Sequence, residues 1–261
     1  MTSIVKQQAG FSIVSLLIAS VIGIFLIGGA GKVYVDSKNT FTARSAITAA
    51  TESSRFAIQD LRRTLVMAGR NIGEFVDGPE AYASPDNGIR TFPAVGAVNG
   101  IIDIDANGSS VIAIRYAGGP APCGQAGTLA TPATVRFYRD DDANLVCQVV
   151  ETNFVQPLVS GVVIMRALYG VDTDANDIAN QYLTATEVDT ANRWLNVVSI
   201  RIGMITSSGD GTELPARYRP AAAEELDLLG MTFTAPDTSH FYKSASTTIS
   251  LRNLHSSVQK Q

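Results

Sequence analysis

The chain contains 261 residues, 46% hydrophobic and 17% charged, a composition typical of a globular protein with room for one sizeable domain. Its formal net charge is −4. This acidic balance offers no basic surface to a phosphate backbone and argues against nucleic acid as a partner.

An uncharged apolar run extends from Phe11 through Ala30, and the first charge after it is Lys32. A helix needs about 20 apolar residues to cross a bilayer, whereas the apolar core of a secretory signal has only about 7 to 15. We therefore predict one membrane-spanning segment over residues 11–34. Because the preceding flank carries only Lys6 beside the terminal amine, we expect a cytoplasmic amino terminus, with the rest of the chain across the membrane.

The helical pattern continues beyond the apolar run. Residues 35–70 contain no proline and only one glycine, Gly69, and apolar residues recur at helical spacing, most plainly from Leu61 to Leu65. The sequence therefore predicts a single helix from Phe11 to about Arg70. Its first half would lie in the membrane, and its second half would pack on a globular domain that spans residues 35–261.

Residues 71–261 are rich in turn residues and short β-branched segments, which predicts a β-rich region with long loops. Several segments alternate in polarity, so we expect an antiparallel sheet with one face on the helix, and hence an α+β fold. Residues 207–243 are predicted to leave the sheet, as a partner surface or a mobile loop, with a short helix ended by Gly230. The strands are predicted over residues 110–116, 134–140, 145–151, 159–170, 195–206 and 247–253.

The chain has two cysteines, Cys123 and Cys147. An even pair in an exported domain most often forms a disulfide, which is our prediction here. The alternative is a pair of buried thiols.

Gly10 followed by Phe11 and "SIVSLLIA" resembles the class III leader of type IV pilins and type II secretion pseudopilins. The resemblance implies that a prepilin peptidase removes residues 1–10 by cutting between Gly10 and Phe11, and then methylates Phe11. The apolar helix would be kept, first as an inner-membrane anchor below a periplasmic domain and later as the packing helix of a filament. The alternative is an ordinary signal anchor.

Four further segments look like the PilW family of minor pilins, which is similar to the J-type pseudopilins of type II secretion. The segments are "RFAIQDLRRTLVMAGRNIG", "VIMRALYGVDTD", "NVVSIRIGMITSS" and "TTISLRN". The resemblance implies a pilin-like fold and a structural role in the initiation and assembly of a type IV pilus. Its partners would be other minor and major pilins, the inner-membrane assembly platform and an adhesin carried at the tip.

Two alternatives stay open on the sequence. Deletion of a type II secretion pseudopilin would abolish exoprotein release, whereas deletion of a pilus subunit would abolish piliation and twitching motility. The second alternative belongs to another class of protein, a membrane-tethered periplasmic enzyme or ligand-binding domain.

Ser15 occupies the fifth position after the expected cut, where the family usually carries glutamate. Serine cannot form the ion pair that this glutamate makes with the terminal amine of an adjacent subunit. Tip subunits of the family commonly dispense with the glutamate, so the resemblance predicts a location at or near the filament tip. The alternative is that serine weakens incorporation without specifying a position.

Two acidic loops place oxygen ligands at alternate positions, a spacing that suits calcium. Both lack the closing glutamate of an EF-hand, with Leu183 and Ile114 at the twelfth position, and a solvated turn is the favoured interpretation. No other cofactor is predicted. The candidate ligands are Asp172, Asp174 and Asn176 in one loop, and Asp103, Asp105 and Asn107 in the other.

The sequence gives little support to catalysis. His240 and His255 are the only histidines, and both lie in polar surroundings near the carboxyl terminus. The sequence contains no GxSxG elbow, no GxxxxGK[ST] phosphate loop and no HExxH zinc helix. We therefore predict that the protein is not an enzyme.

Overall fold

The computed structural model describes residues 12–70, 108–209 and 212–254. The predicted cleavage site at Gly10 and Phe11 lies outside the described residues, as does His255. The second acidic loop, with Asp103, Asp105 and Asn107, is also outside them. Predictions at these positions stay predictions.

Helix α1 is one continuous helix of 53 residues, Ile13–Leu65. At about 1.5 Å per residue it is roughly 80 Å long. It ends five residues before the predicted Arg70, because residues 66–70 turn away and Gly69 takes a positive φ of 80°. The side-chain amide of Asn253 donates hydrogen bonds of 3.1 Å to the carbonyl oxygens of Val66 and Ala68, two acceptors that follow the end of the helix.

The first sheet is an antiparallel meander with strand order β1-β2-β3-β4. Three of its strands fall within one or two residues of predicted segments, whereas most of β4 was not predicted, and only residues 159–160 of it belong to the predicted segment 159–170. The strands are β1 (Ile112–Tyr116), β2 (Ala133–Arg139), β3 (Asn144–Val149) and β4 (Phe154–Ser160).

The second sheet is also antiparallel, with strand order β10-β7-β5-β6. The predicted segment 159–170 divides at Gly161, whose φ is +80° and whose added Cβ would lie 3.0 Å from the Ser207 carbonyl oxygen. The sequence predicted one sheet, and this break helps to produce two. The strands are β5 (Val162–Val171), β6 (Gln181–Leu183), β7 (Val197–Ser207) and β10 (Tyr242–Ser250).

The predicted helix ending at Gly230 is wrong. The segment forms a hairpin of β8 (Glu225–Leu228) and β9 (Met231–Thr234). Leu229 and Gly230 both have positive φ, at 54° and 78°, as a tight two-residue hairpin loop requires. The alternation of Leu226 and Leu228 with acidic residues already carried the two-residue period of a strand.

A short helix, α2 (Ala185–Thr190), was not predicted. It begins with a capping box, in which the Thr184 side chain accepts from the Glu187 N–H and the Glu187 side chain accepts from the Thr184 N–H. Thr184 and Glu187 stand at the T-x-x-E spacing, so the sequence did contain a signal for this helix.

Helix α1 packs on β10, β7 and β4 through one stripe of buried residues. The upper part of the stripe is mostly alanine, which brings the helix close to the sheet, and the lower part carries leucines into the main core. That core lies between the helix and both sheets and includes Tyr116, Phe137 and Tyr169. The buried stripe consists of Ala43, Ala46, Ala50, Ser54, Ala57, Leu61 and Leu65.

Candidate assembly surface

The amino-terminal half of α1 exposes its apolar side chains. An 18-residue window has a mean hydropathy of 2.5 and is entirely unburied, so in length and composition it is suited to cross a membrane. The predicted apolar amino-terminal helix is confirmed. Its exposed large side chains include Ile13, Leu16, Leu17, Ile24, Phe25, Leu26 and Ile27.

Ser15 lies exposed on the first turn of this helix, and that turn carries no acidic side chain. The helix therefore begins without the carboxylate that is usual in the resembled family. Whether this serine selects a position in a filament stays a prediction.

The exposed and packed halves of α1 meet beside a segment that we name the strap, residues 212–220. Arg217 forms an ion pair with Asp36, and the hydroxyls of Tyr218 and Thr40 lie 3.1 Å apart. Leu214 is buried in a small cluster with Ala43 and Ala46 of the helix, with Phe241 packed against it.

The strap itself is held in shape by Arg219. Its Nε donates to the Leu214 carbonyl oxygen at 2.8 Å, and its Nη2 lies 2.8 Å from the Glu213 carboxylate. Part of the predicted excursion 207–243 thus lies along the helix. Sequence reasoning missed these contacts, although "ARYR" after a proline is a basic and aromatic signal.

The packed half of α1 also presents large apolar side chains to solvent. Phe41 is 75% exposed and Phe56 is 60% exposed. Grooves of about 490 and 400 Å³ lie beside this half, one toward β10 and the other toward β4. The first groove carries Arg55, Arg62 and Lys243 on its walls, and such a cationic surface can accept an acidic partner.

The predicted disulfide is present, with Cys123 and Cys147 joined at an S–S distance of 2.05 Å. It ties the loop that follows β1 to β3. A cavity of about 220 Å³ lies beside it and is lined by Tyr116 and Arg63 among others. Tyr116 donates to the Pro120 carbonyl oxygen at 2.9 Å, and burial raises its pKa to about 12 against the opposing charge of Arg63.

The first acidic loop is closed by its own hydrogen bonds. The Asp172 carboxylate accepts the N–H groups of Asp174, Ala175 and Asp177 at 3.0, 2.9 and 2.7 Å. Burial would raise the pKa of Asp172, but these backbone donors, led by Asp174 and Asp177, leave it below its ordinary value. Asn176 donates to the Asp174 carboxylate at 3.0 Å.

Across the described ranges, no group of three or more His, Cys, Asp or Glu side chains is arranged to hold a metal. The Asp172 oxygens that a calcium ion would need are engaged by backbone donors, so this conformation does not fit the ion. Calcium binding by this loop stays a prediction.

His240 takes part in a turn before β10. Its Nδ1 lies 3.0 Å from Asp237 Oδ2 and 3.2 Å from Ser239 Oγ, so the acid and the hydroxyl meet the same ring nitrogen. In a catalytic relay, by contrast, the acid binds one imidazole nitrogen and the hydroxyl binds the other. Tyr242 also donates to Asp237, at 2.8 Å, and the cluster fixes the turn.

Residues 134–253 match the model of a protein family described as "Type IV Pilus-assembly protein W". This segment runs from β2 to the turn after β10. Among solved structures, a type IV-like pilin from Thermus thermophilus aligns with a TM-score of 0.42 at 9% identity. The alignment covers 78% of this chain and 97% of that one.

A comparison with curated protein sequences gives no significant match. The family match nevertheless begins within the first sheet and includes the strands β7 and β10, against which α1 packs. In one chain, a segment that matches this pilus-assembly family follows a long apolar helix, and the two together support a PilW-like type IV pilin.

Proposed function

We propose that this chain is a minor pilin that takes part in initiating and assembling a type IV pilus, at or near the tip. Its role is structural, without catalysis. The observation that carries the proposal is the family match over residues 134–253, joined to a helix that is apolar and exposed in one half and packed in the other.

The two halves of α1 have different surroundings in the monomer. The stripe from Ala43 to Leu65 is covered by the domain, whereas none of the residues that the structure describes covers the segment from Ile13 to Val35. Such a surface is unfavourable in water, at about 25 cal/mol per Å² of exposed apolar area. In the proposed function it lies first in the inner membrane and then against the helices of other pilins.

The remaining steps follow the resemblance. A prepilin peptidase would cut between Gly10 and Phe11 and methylate Phe11, and the assembly platform would then extract the subunit from the membrane. The carboxyl-terminal domain would face the periplasm before extraction. Ser15 favours a place at the tip, because a tip subunit has no subunit above it with which a glutamate would form an ion pair. From there the exposed loops could carry an adhesin.

The first test is intact mass and amino-terminal sequencing of the protein made with and without a prepilin peptidase. We expect a methylated Phe11 terminus only with the peptidase, and no cleavage of a Gly10→Val variant. Gly28→Ala is the matched control, since an added Cβ at Gly28 meets no atom within 4 Å. A chain that keeps Met1 in both preparations would contradict the proposal.

The second test is deletion of the gene. We expect loss of piliation and twitching, with exoprotein release unchanged. The opposite pattern would assign the chain to type II secretion.

A further inference from the structure

A group of charged and aromatic side chains surrounds the point where α1 leaves its apolar run. We name this surface the base and define it as residues 32–40 of α1 together with residues 213–219 of the strap. The ion pair between Arg217 and Asp36 joins its two parts, as does the contact of 3.1 Å between the hydroxyls of Tyr218 and Thr40. These contacts hold the strap beside the first turns that follow the apolar segment.

The height of the base matches the headgroup layer of a bilayer. The uncharged run ends at Gly31, and Asp36 is five residues farther along the helix. At about 1.5 Å per residue this is roughly 7 Å. The polar layer on each side of the hydrocarbon is about 5 to 7 Å thick, so the ion pair between Arg217 and Asp36 falls at its outer edge.

The base is cationic within an acidic protein. Its formal net charge is +2, from four cationic and two acidic side chains, whereas the net charge of the whole chain is −4. The guanidinium groups of Arg217 and Arg219 are partly exposed, with side-chain exposures of 51% and 36%. The cations are Lys32, Lys38, Arg217 and Arg219, and the carboxylates are Asp36 and Glu213.

Two tyrosines accompany these cations. Tyr34 on the helix is 70% exposed and Tyr218 on the strap is 39% exposed. Tyrosine is enriched at membrane interfaces, because its ring is apolar and its hydroxyl is polar. Guanidinium groups bind phosphate through paired N–H donors. The base thus offers both kinds of group at one height.

We propose that the base binds the phospholipid headgroups of the membrane that α1 spans, an inference that rests on the proposed function because it takes α1 as the anchor. The strap is the second contact of the domain with the membrane. It sets the angle of the domain on the bilayer until the subunit enters a filament, when the headgroups are exchanged for neighbouring pilins.

The test places a fluorophore on the strap of the full-length chain in proteoliposomes. Both native cysteines are in the disulfide, so an added cysteine at Ala216 labels one site. The reference label is at Ala191, just beyond α2. Ala191 lies shortly before the start of β7, and this start is at the end of the domain opposite the strap. Asn253, beside the start of β7, contacts Val66 at the end of α1, whereas Thr206, at the other end of β7, contacts Ala50, which is closer to the strap.

The vesicles contain phosphatidylethanolamine and phosphatidylglycerol, with a nitroxide on a fraction of the headgroups. We expect the Ala216 label to be quenched several-fold more strongly than the Ala191 label. Arg217→Gln with Arg219→Gln should reduce strap quenching toward the reference. Arg193→Gln with Arg252→Gln removes the same charge from exposed positions outside the base and should leave strap quenching unchanged.

A second measurement does not depend on the folding of any arginine variant. With wild-type arginines, replacing phosphatidylglycerol by phosphatidylcholine should weaken quenching of the Ala216 label.

Equal quenching of the Ala216 and Ala191 labels in a chain that floats with the vesicles would overturn the inference alone. A chain that does not float would refute the anchor and therefore both proposals. Strap quenching only by a nitroxide on a second copy would assign the base to self-association and overturn the headgroup inference.

Discussion

The hydroxyl of Thr206 on β7 donates a hydrogen bond of 2.8 Å to the carbonyl oxygen of Ala50 on α1. Thr206 is fully buried, as is Ala50. A small residue on the helix allows this approach, since a larger side chain at Ala50 would hold the strand away. The contact couples the position of the helix to the second sheet.

Replacing Thr206 with valine keeps the shape of the side chain and removes the donor. We expect the full chain in detergent to lose about 1 kcal/mol of unfolding free energy, the net value of a typical buried hydrogen bond. Thr206→Ser is the control that retains the hydroxyl. A valine variant that unfolds in denaturant with the same free energy as wild type would contradict a stabilising role for this hydrogen bond.

Gly203 on β7 lies directly against the β8–β9 hairpin. A Cβ added there would lie 2.8 Å from Leu229 Cγ and 2.9 Å from Leu228 Cδ1. We expect Gly203→Ala to cost about 1 to 3 kcal/mol through overpacking. Leu229→Ala in the same background should recover part of that loss in a double-mutant cycle, and purely additive effects would contradict the proposed clash.

The disulfide should contribute substantially to stability. Cys123 and Cys147 are separated by 24 positions, and in the chain-entropy model such a cross-link is worth about 3 kcal/mol. We expect the double serine variant to melt about 6 to 12 °C lower in a calorimetric scan. Wild type scanned with reductant should melt with the variant. A wild-type melting temperature unchanged by verified reduction would contradict this prediction.

The long helix and most strands could be predicted because their signals are local. Leu61 and Leu65 lie one helical turn apart, and "ATVRFYR" is rich in β-branched and aromatic residues. The division into two sheets depends on Gly161, where the Ser207 carbonyl leaves no room for a side chain. That constraint comes from a residue 46 positions away and has no local pattern.

The hairpin was missed for a different reason. "AAAEELDLLG" has good helix formers, but Leu226 and Leu228 find apolar partners only as neighbours on one face of a strand, and tertiary packing overrides propensity. At the candidate site, the exposed apolar half of α1 was predictable from composition. The strap was not, because the partners of Arg217 and Tyr218 are Asp36 and Thr40, far away in sequence.

Asp237 should make stability depend on pH. Burial raises the pKa of its carboxyl, but hydrogen bonds from Tyr242, His240 and Ser239 outweigh burial and hold the pKa well below its ordinary value. Because the folded pKa is depressed, the stabilisation is fully present above the unfolded value of about 3.9 and is lost as the pH falls through the folded value.

We therefore expect Asp237→Asn to be less stable than wild type at pH 7, with a difference that shrinks as the pH is lowered below about 4. Urea unfolding at a series of pH values measures this. Asp227→Asn removes an exposed carboxylate from β8 and is the control. A difference between wild type and Asp237→Asn that stays constant down to pH 3 would argue against an ionised Asp237 as the source.

Ser15 is the residue on which the proposed tip location depends. A glutamate there would place a carboxylate in the hydrocarbon, at a cost of up to about 3 kcal/mol on insertion scales, unless it pairs with the terminal amine of a neighbouring subunit. Such pairing is available along a filament, so Ser15→Glu should let the subunit enter the shaft. We expect immunogold labelling of sheared pili to move from the ends to the whole length, whereas Ser12→Glu, displaced by about 60° around the helix, should leave it at the ends. Uniform labelling of wild-type pili would remove the basis for a tip location and leave serine as a residue that only weakens incorporation.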